Sequence, residues 1–253
     1  ISEELLKTGL KYGPGEIPPG WSSGRNLAEE KRYRVVFSPA SMVLGIDELL
    51  QASGCDLWLD TQLIDAETAG DRVTAVRVAN KSGIGRLEAA VFVDASGDAD
   101  VAFFAGADCP VAANALASWT LEYSKQESGA VLAPGIRASI VGGSTDPDFT
   151  EPGVSGRMVS DFVMAGRERY RRQLAEAYAS GAADRFGRFP LKLPAMPDLR
   201  HTRRIDGAFT LQPGMEWRAF EDSVGVCADW RCCGKVWELP YRSLLPKTLS
   251  NVL

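Results

Sequence analysis

The run Ala90-Val91-Phe92-Val93-Asp94-Ala95-Ser96-Gly97-Asp98-Ala99-Asp100-Val101-Ala102 constrains this chain more than any other stretch. Val91, Phe92 and Val93 give way at once to small and acidic residues, and an alanine-rich segment from Val101 to Ala107 follows. That order predicts a buried strand, a tight turn and a helix start. Asp98 or Asp100 stands where it could cap the helix. Small residues just past a buried strand let another group approach the backbone closely, and ligands of α/β domains gather at such strand ends. A plain strand-to-helix connection and a ligand-contacting turn both fit these residues.

The rest of the chain narrows the classes open to it. Its 253 residues suffice for one large domain or two modest ones with a real core. Hydrophobic residues at 45% and charged residues at 24% are ordinary for a globular protein. No apolar run approaches the roughly 20 residues of a membrane span. The start, Ile1-Ser2-Glu3-Glu4-Leu5-Leu6-Lys7, has an amphipathic helical pattern rather than that of a signal peptide. A net charge of −5 argues against nucleic acid as the main partner. Five cysteines without framework spacing suit a reducing compartment, so the expectation is a cytoplasmic protein acting on a small molecule, away from membranes.

Punctuation and periodicity divide the chain further. Ser38-Pro39 predicts a helix start, Met42, Val43, Ile46, Leu49 and Leu50 fall at helical spacing, and Gly54 is a C-terminal cap. Leu57-Trp58-Leu59 with Leu63-Ile64 reads as strand, Arg72 to Val78 as a second, and Leu87–Val93 as a third after a turn at Gly83 and Gly85. Short apolar runs within the Gly-, Pro- and Ser-rich residues 108–157 suggest a separate sheet. Ser160 to Ser180 predicts a long helix, with Phe162, Val163, Tyr170, Leu174 and Tyr178 on one side. Its Arg167, Arg169, Arg171 and Arg172 read as a solvated face.

Three segments together resemble one family. Val93–Ala102 is similar to the "IDATGDGDVA" segment of FAD-dependent oxidoreductases with a glutathione-reductase-like FAD domain. Leu199–Leu211 resembles their "REtRRIvGeytL" box, with His201 in place of the usual glutamate. Leu239–Lys247 with Asn251-Val252-Leu253 resembles "iPYRSLlPkgvdNLLvaGR". The resemblance implies an α+β fold: a partial glutathione-reductase-like FAD domain with a β-meander, plus an inserted sheet-and-helix substrate domain. It sets residues 1–107 as partial FAD domain, 108–238 as substrate domain, and 239–253 as a return to the FAD domain. The family's Gly-x-Gly-x-x-Gly fingerprint is absent and the chain lacks an initiator methionine, so an internal fragment is expected. Such a fragment would bind FAD weakly or not at all and be inactive alone. An apolar face left bare by missing strands would favour a homo-oligomer.

The resemblance also implies roles for particular residues. Ala95, Ser96, Gly97 and Asp98 would form the turn beside the pyrophosphate and adenosine half of FAD, where backbone amides can face phosphate oxygens. Asp94, whose carboxylate would repel phosphate, reads instead as a structural cap. Leu63 matches a position whose backbone meets adenine, while its side chain is simply core. Arg200, Arg203 and Arg204 could orient an acidic substrate or stabilise reduced flavin; a salt-bridge network between domains is the alternative. On a strand Arg203 and Arg204 point to opposite faces. Tyr241 and Arg242 lie in the box that approaches the flavin ring, and Arg242 could supply the positive charge an anionic flavin needs. The expected activity is hydride transfer between flavin and a small polar or acidic substrate. A non-catalytic binding domain on the same scaffold is the alternative, and a thiol–disulfide enzyme using Cys227 and Cys232 is a third. No metal site is expected, since Cys227, Cys232 and Cys233 lack zinc-ligand spacing. Gly-x-Ser-x-Gly, the nucleophile elbow of a serine hydrolase, does not occur.

Overall fold

A computed structural model describes residues 3–13, 15–16, 36–111, 118–125, 131–133, 135–142, 153–193, 202–228 and 236–253. Arg200, His201, Cys232 and Cys233 lie outside them. The chain divides into two compact units, each assembled from three stretches: residues 1–59, 119–140 and 169–193 in the first, and 60–118, 141–168 and 194–253 in the second.

The first unit opens with helix α1 (Glu3–Leu10), the short strands β1 (Gly15–Glu16) and β2 (Val36–Phe37), and helix α2 (Pro39–Ala52). The Ser38 hydroxyl accepts the Ser41 amide at 3.4 Å, Pro39 sits in the first turn, and Gly54 follows the helix at φ +72°, as the sequence predicts. Helices α1 and α2 meet where each offers glycine: a Cβ on Gly45 would lie 2.7 Å from the Gly9 Cα. The same unit holds most of a sheet of β6 (Ser118–Ser124), β7 (Val131–Ala133), β8 (Ile136–Gly142) and β9 (Arg188–Lys192), ordered β7-β8-β6-β9. The expected separate sheet is therefore present. Helix α4 spans Gly156–Ala179, starting four residues earlier than Ser160 because the Ser155 hydroxyl caps it by accepting the Met158 amide. Its residues from Arg169 onward belong to this unit.

Strand β6 reverses the usual polarity of alternation. Ser118, Thr120, Glu122 and Ser124 face inward and are buried, while Trp119 is exposed. Period-2 alternation alone would send the polar face to water. Glu122 inverts that choice, because its carboxylate gathers enough partners to stay ionised without solvent.

The second unit contains the antiparallel meander β3 (Gln62–Ala69), β4 (Arg72–Asn80) and β5 (Gly83–Glu88), the one-turn helix α3 (Asp100–Phe104), and the pair β10 (Ser223–Ala228) and β11 (Val236–Pro240). Its core is Val73, Val76, Val78, Phe92, Ala102, Ala107, Leu249 and Val252, with Leu63, Ala66 and Ile205 packed against it. The alternating valines of β4 supply the inner face. Several strand limits differ from the sequence expectation. Leu57–Leu59 is irregular, and β3 begins only after Asp60 turns the chain at φ +49°. Gly83 opens β5 rather than forming its turn, which lies at Lys81 and Ser82. Leu87–Val93 is not one strand: β5 ends at Glu88, and Phe92 then pairs in parallel with Val252.

That parallel pairing ties the chain's last residues to the strand before the turn. Phe92 donates to the Asn251 carbonyl at 2.9 Å, Leu253 to the Phe92 carbonyl at 3.0 Å, and Asp94 to the Leu253 carbonyl at 2.8 Å. The buried Asn251 side chain accepts the Val73 amide at 2.9 Å and donates to the Val73 and Ala90 carbonyls at 2.8 and 3.2 Å. Among the described residues no helix is long and apolar enough to cross a membrane.

Candidate functional site

All the predicted site residues fall in the second unit. The turn after Val93 is built by Asp94, not capped by Asp98 or Asp100. One Asp94 oxygen accepts the Ser96 amide at 3.2 Å and its hydroxyl at 2.6 Å, and the other accepts the Ala102 amide at 3.1 Å. The Ser96 hydroxyl takes the Asp100 amide at 2.9 Å. Asp94 reaches amides that Asp98 and Asp100 cannot, because the chain doubles back on itself at Gly97 (φ +87°) and Ala99 (φ +55°). Asp94→Ala removes three hydrogen bonds at once and is expected to cost about 1–2 kcal/mol. Urea denaturation checks this, and an unchanged midpoint would show that the turn holds itself.

Ala95, Ser96 and Gly97 are exposed, and the amides of Gly97, Asp98 and Ala99 engage no acceptor among the described residues. Nothing lies within 4 Å of where a Gly97 Cβ would stand. A succession of free backbone N–H groups around an αL residue is the arrangement that receives anionic oxygens. Its carboxylates argue against a phosphate only if they are free, and they are not. Asp94 is consumed inside the turn, Asp98 accepts the Thr202 hydroxyl at 2.5 Å, and Asp100 pairs with Arg203.

Arg203 is half-buried and Arg204 exposed, on a segment held by isolated bridges rather than a strand, so strand parity does not set their directions. Arg203 bridges Val111, and Gly207 bridges Pro246. The Arg203 side chain is only 12% exposed; it pairs with Asp100 and lies 4.0 Å over the Phe103 ring. Arg204 is exposed, and among the described residues its guanidinium makes one long contact, 3.5 Å to the Ile205 carbonyl. Leu63 on β3 faces Val78 on β4 and packs on the core.

Tyr241 and Arg242 form a second cluster, in a 3-10 turn over Tyr241–Ser243. Tyr241 is 43% exposed. The Arg242 guanidinium donates to Asp222 at 2.8 Å and lies over the rings of Phe209 and Phe220 at 4.6 and 5.4 Å. One face is thus fixed by an ion pair and two rings, and the nitrogens not turned to Asp222 have no partner among the described residues.

Sequence reasoning missed a third cluster, in the first unit. Glu122 is fully buried and receives Arg137 at 2.5 Å, Ser139 and Tyr170 at 2.7 Å each, and Arg188 at 3.0 Å. Burial pushes its carboxyl upward, but the four hydrogen bonds outweigh burial and hold it below the ordinary carboxylate range. Burial and the adjacent Glu122 carboxylate push the Tyr170 phenol well above its usual value. No local motif marks this site, because its members come from β6, β8, β9 and α4. Among the described residues no group of three or more His, Cys, Asp or Glu is placed to hold a metal ion.

The chain matches known proteins over part of its length. Residues 19–119 match the family model for FAD dependent oxidoreductases, a span that includes the turn. No curated protein matches. Among solved structures, CabE, an aromatic hydroxylase from angucycline biosynthesis, superposes with a TM-score of 0.52 at 17% identity, covering 83% of this chain and 45% of that one. The chain therefore spans less than half the length of this structural relative. BexE, from studies of oxidation during BE-7585A biosynthesis, gives a TM-score of 0.42 at 20% identity, covering 68% of this chain and 34% of its own. OxyS anhydrotetracycline hydroxylase from Streptomyces rimosus gives 0.39 at 16%, covering 81% and 43%. The mixed α/β structure with antiparallel sheets agrees with the CabE-like fold, and residues 19–119 are similar to FAD dependent oxidoreductases, a family whose cofactor is FAD.

Proposed function

We propose that this chain is part of a cytoplasmic enzyme that moves hydride between FAD and a small polar or acidic substrate, and that it supplies the adenosine-side turn and the arginines of the substrate wall. In this reading residues 1–107 and 239–253 belong to a glutathione-reductase-like FAD domain and 108–238 to an inserted substrate domain. The observation that carries the reading is the run of unengaged amides at Gly97, Asp98 and Ala99, set on a turn whose carboxylates are all occupied. Ala95, Ser96, Gly97 and Asp98 would hold the diphosphate, and the Leu63 backbone would lie beside adenine. Bound FAD supplies the hydride acceptor and donor. Arg204 is exposed and suited to binding a substrate carboxylate. Tyr241 stands beside Arg242, and Arg242 keeps a fixed cation at the strand end, held against reorientation by Asp222, Phe209 and Phe220.

In the full-length protein Arg242→Met is expected to slow flavin reduction by roughly tenfold to a hundredfold, the worth of one charge-assisted hydrogen bond, with FAD content unchanged. Stopped-flow bleaching of the flavin absorbance measures this. An unaltered reduction rate would remove Arg242 from the chemistry. A full-length protein that takes up no FAD would remove the flavoenzyme reading itself.

A further inference from the structure

We infer that Arg203 is a positioning residue, the counter-charge that makes an acidic turn acceptable to a dinucleotide diphosphate. The inference rests on the flavoenzyme reading above and assigns Arg203 away from direct contact with substrate. Asp94, Asp98 and Asp100 crowd the turn that would meet the phosphates. Like charges a few ångströms apart near a protein surface repel strongly, so carboxylates left free there would oppose the ligand.

Each carboxylate is answered differently. Asp94 is neutralised locally by two amides and a hydroxyl, and Asp98 accepts the Thr202 hydroxyl. Among the described residues only Asp100 receives a full positive charge, from Arg203, the residue next to Thr202. The guanidinium lies over the Phe103 ring, and its Nε–H is buried without a hydrogen-bond partner. A buried N–H left unpaired costs free energy, so the head group sits where the Asp100 charge draws it and not where its own hydrogen bonding would be complete. Thr202 and Arg203 also hold Asp98 and Asp100 on either side of Ala99, whose φ of +55° is costly for a residue with a Cβ. The Val111–Arg203 bridge fixes the segment from which both reach.

A counter-charge and a simple structural tie predict opposite mutant cycles. In the full-length protein, Arg203→Gln strands the Asp100 charge and is expected to weaken FAD binding by about tenfold or more. Asp100→Asn removes the charge that needs compensating, so binding should stay within about threefold of wild type or tighten. The double variant Arg203→Gln/Asp100→Asn should regain most of the affinity, and Arg203→Lys, which keeps the charge, should retain it. Titration of apoprotein with FAD by quenching of flavin fluorescence gives the affinities, and thermal unfolding of each apoprotein confirms that it folds. If Asp100→Asn binds FAD as weakly as Arg203→Gln and the double variant fails to recover, Arg203 is merely a tie and the inference falls. Should Arg203→Gln not fold, Asp100→Asn alone decides, since a tie predicts weaker binding and a counter-charge does not. Failure of the wild type to bind FAD takes down the flavoenzyme reading and this inference together, whereas a binding wild type with an unaffected Arg203→Gln variant overturns the inference alone.

Discussion

Glu122→Ala is expected to destabilise the unit around β6 by about 3–5 kcal/mol, because it leaves the half-buried guanidinium groups of Arg137 and Arg188 without the buried anion they share. It also strips the Tyr170 hydroxyl and the Ser139 hydroxyl of their acceptor. Glu122→Gln should recover only part of the loss, since an amide oxygen accepts hydrogen bonds but supplies no charge. Guanidinium denaturation followed by tryptophan fluorescence measures both. A cost below about 1 kcal/mol for the alanine variant would show that the cluster relaxes into solvent. The pH dependence has a defined sign. The Glu122 carboxyl ionises more readily in the folded protein than in the unfolded chain, so its contribution is complete above the ordinary carboxylate range. It is lost as pH falls through the lowered folded value. The wild type should therefore lose stability on acidification through that range, and Glu122→Gln should lose less.

Asn251→Ala should produce a loss of about 3 kcal/mol in the second unit, by a different route. No charge is involved; the substitution abandons the buried amide and carbonyl of Val73, each with a desolvation penalty, and removes one of the two donors to the Ala90 carbonyl. Asn251→Asp should be no milder, because a carboxylate has no N–H to give the two carbonyls. Hydrogen exchange at Val73, Phe92 and Asp94 locates the damage, since Asn251 links β4 to the strand that pairs with Phe92. Protection unchanged at Phe92 and Asp94 would show that the parallel pairing stands without the Asn251 side chain. The same strand sets the start of the turn, so loosening it should also lower FAD affinity in the full-length protein.

Features governed by a few neighbouring residues were legible in advance. Ser38, Pro39 and Gly54 bound α2 as read, because caps and turns are local chemistry. The alternation in β4 was equally plain, and so was the small-residue turn after Val93. Features that depend on a partner far along the chain were misjudged or missed. Leu87–Val93 looked continuous, yet its two halves join different partners, β4 and Val252. Asp98 and Asp100 were candidate caps by position, but they are claimed by Thr202 and Arg203, more than a hundred residues away, and the capping falls to Asp94, the structural cap that the sequence also offered.

Local residue order alone determined where α2 begins and ends and that small residues form the turn after Val93. Three ordered motifs carried the resemblance to FAD-dependent oxidoreductases, and the family match over residues 19–119 covers the first of them. Only the tertiary structure decided which charges are spent internally: Arg203 on Asp100, Arg242 on Asp222, and Arg137 with Arg188 on Glu122. The reason is physical. A cap acts over a single turn of backbone, whereas an ionised group removed from water must find its counter-ion wherever the fold brings one within a few ångströms.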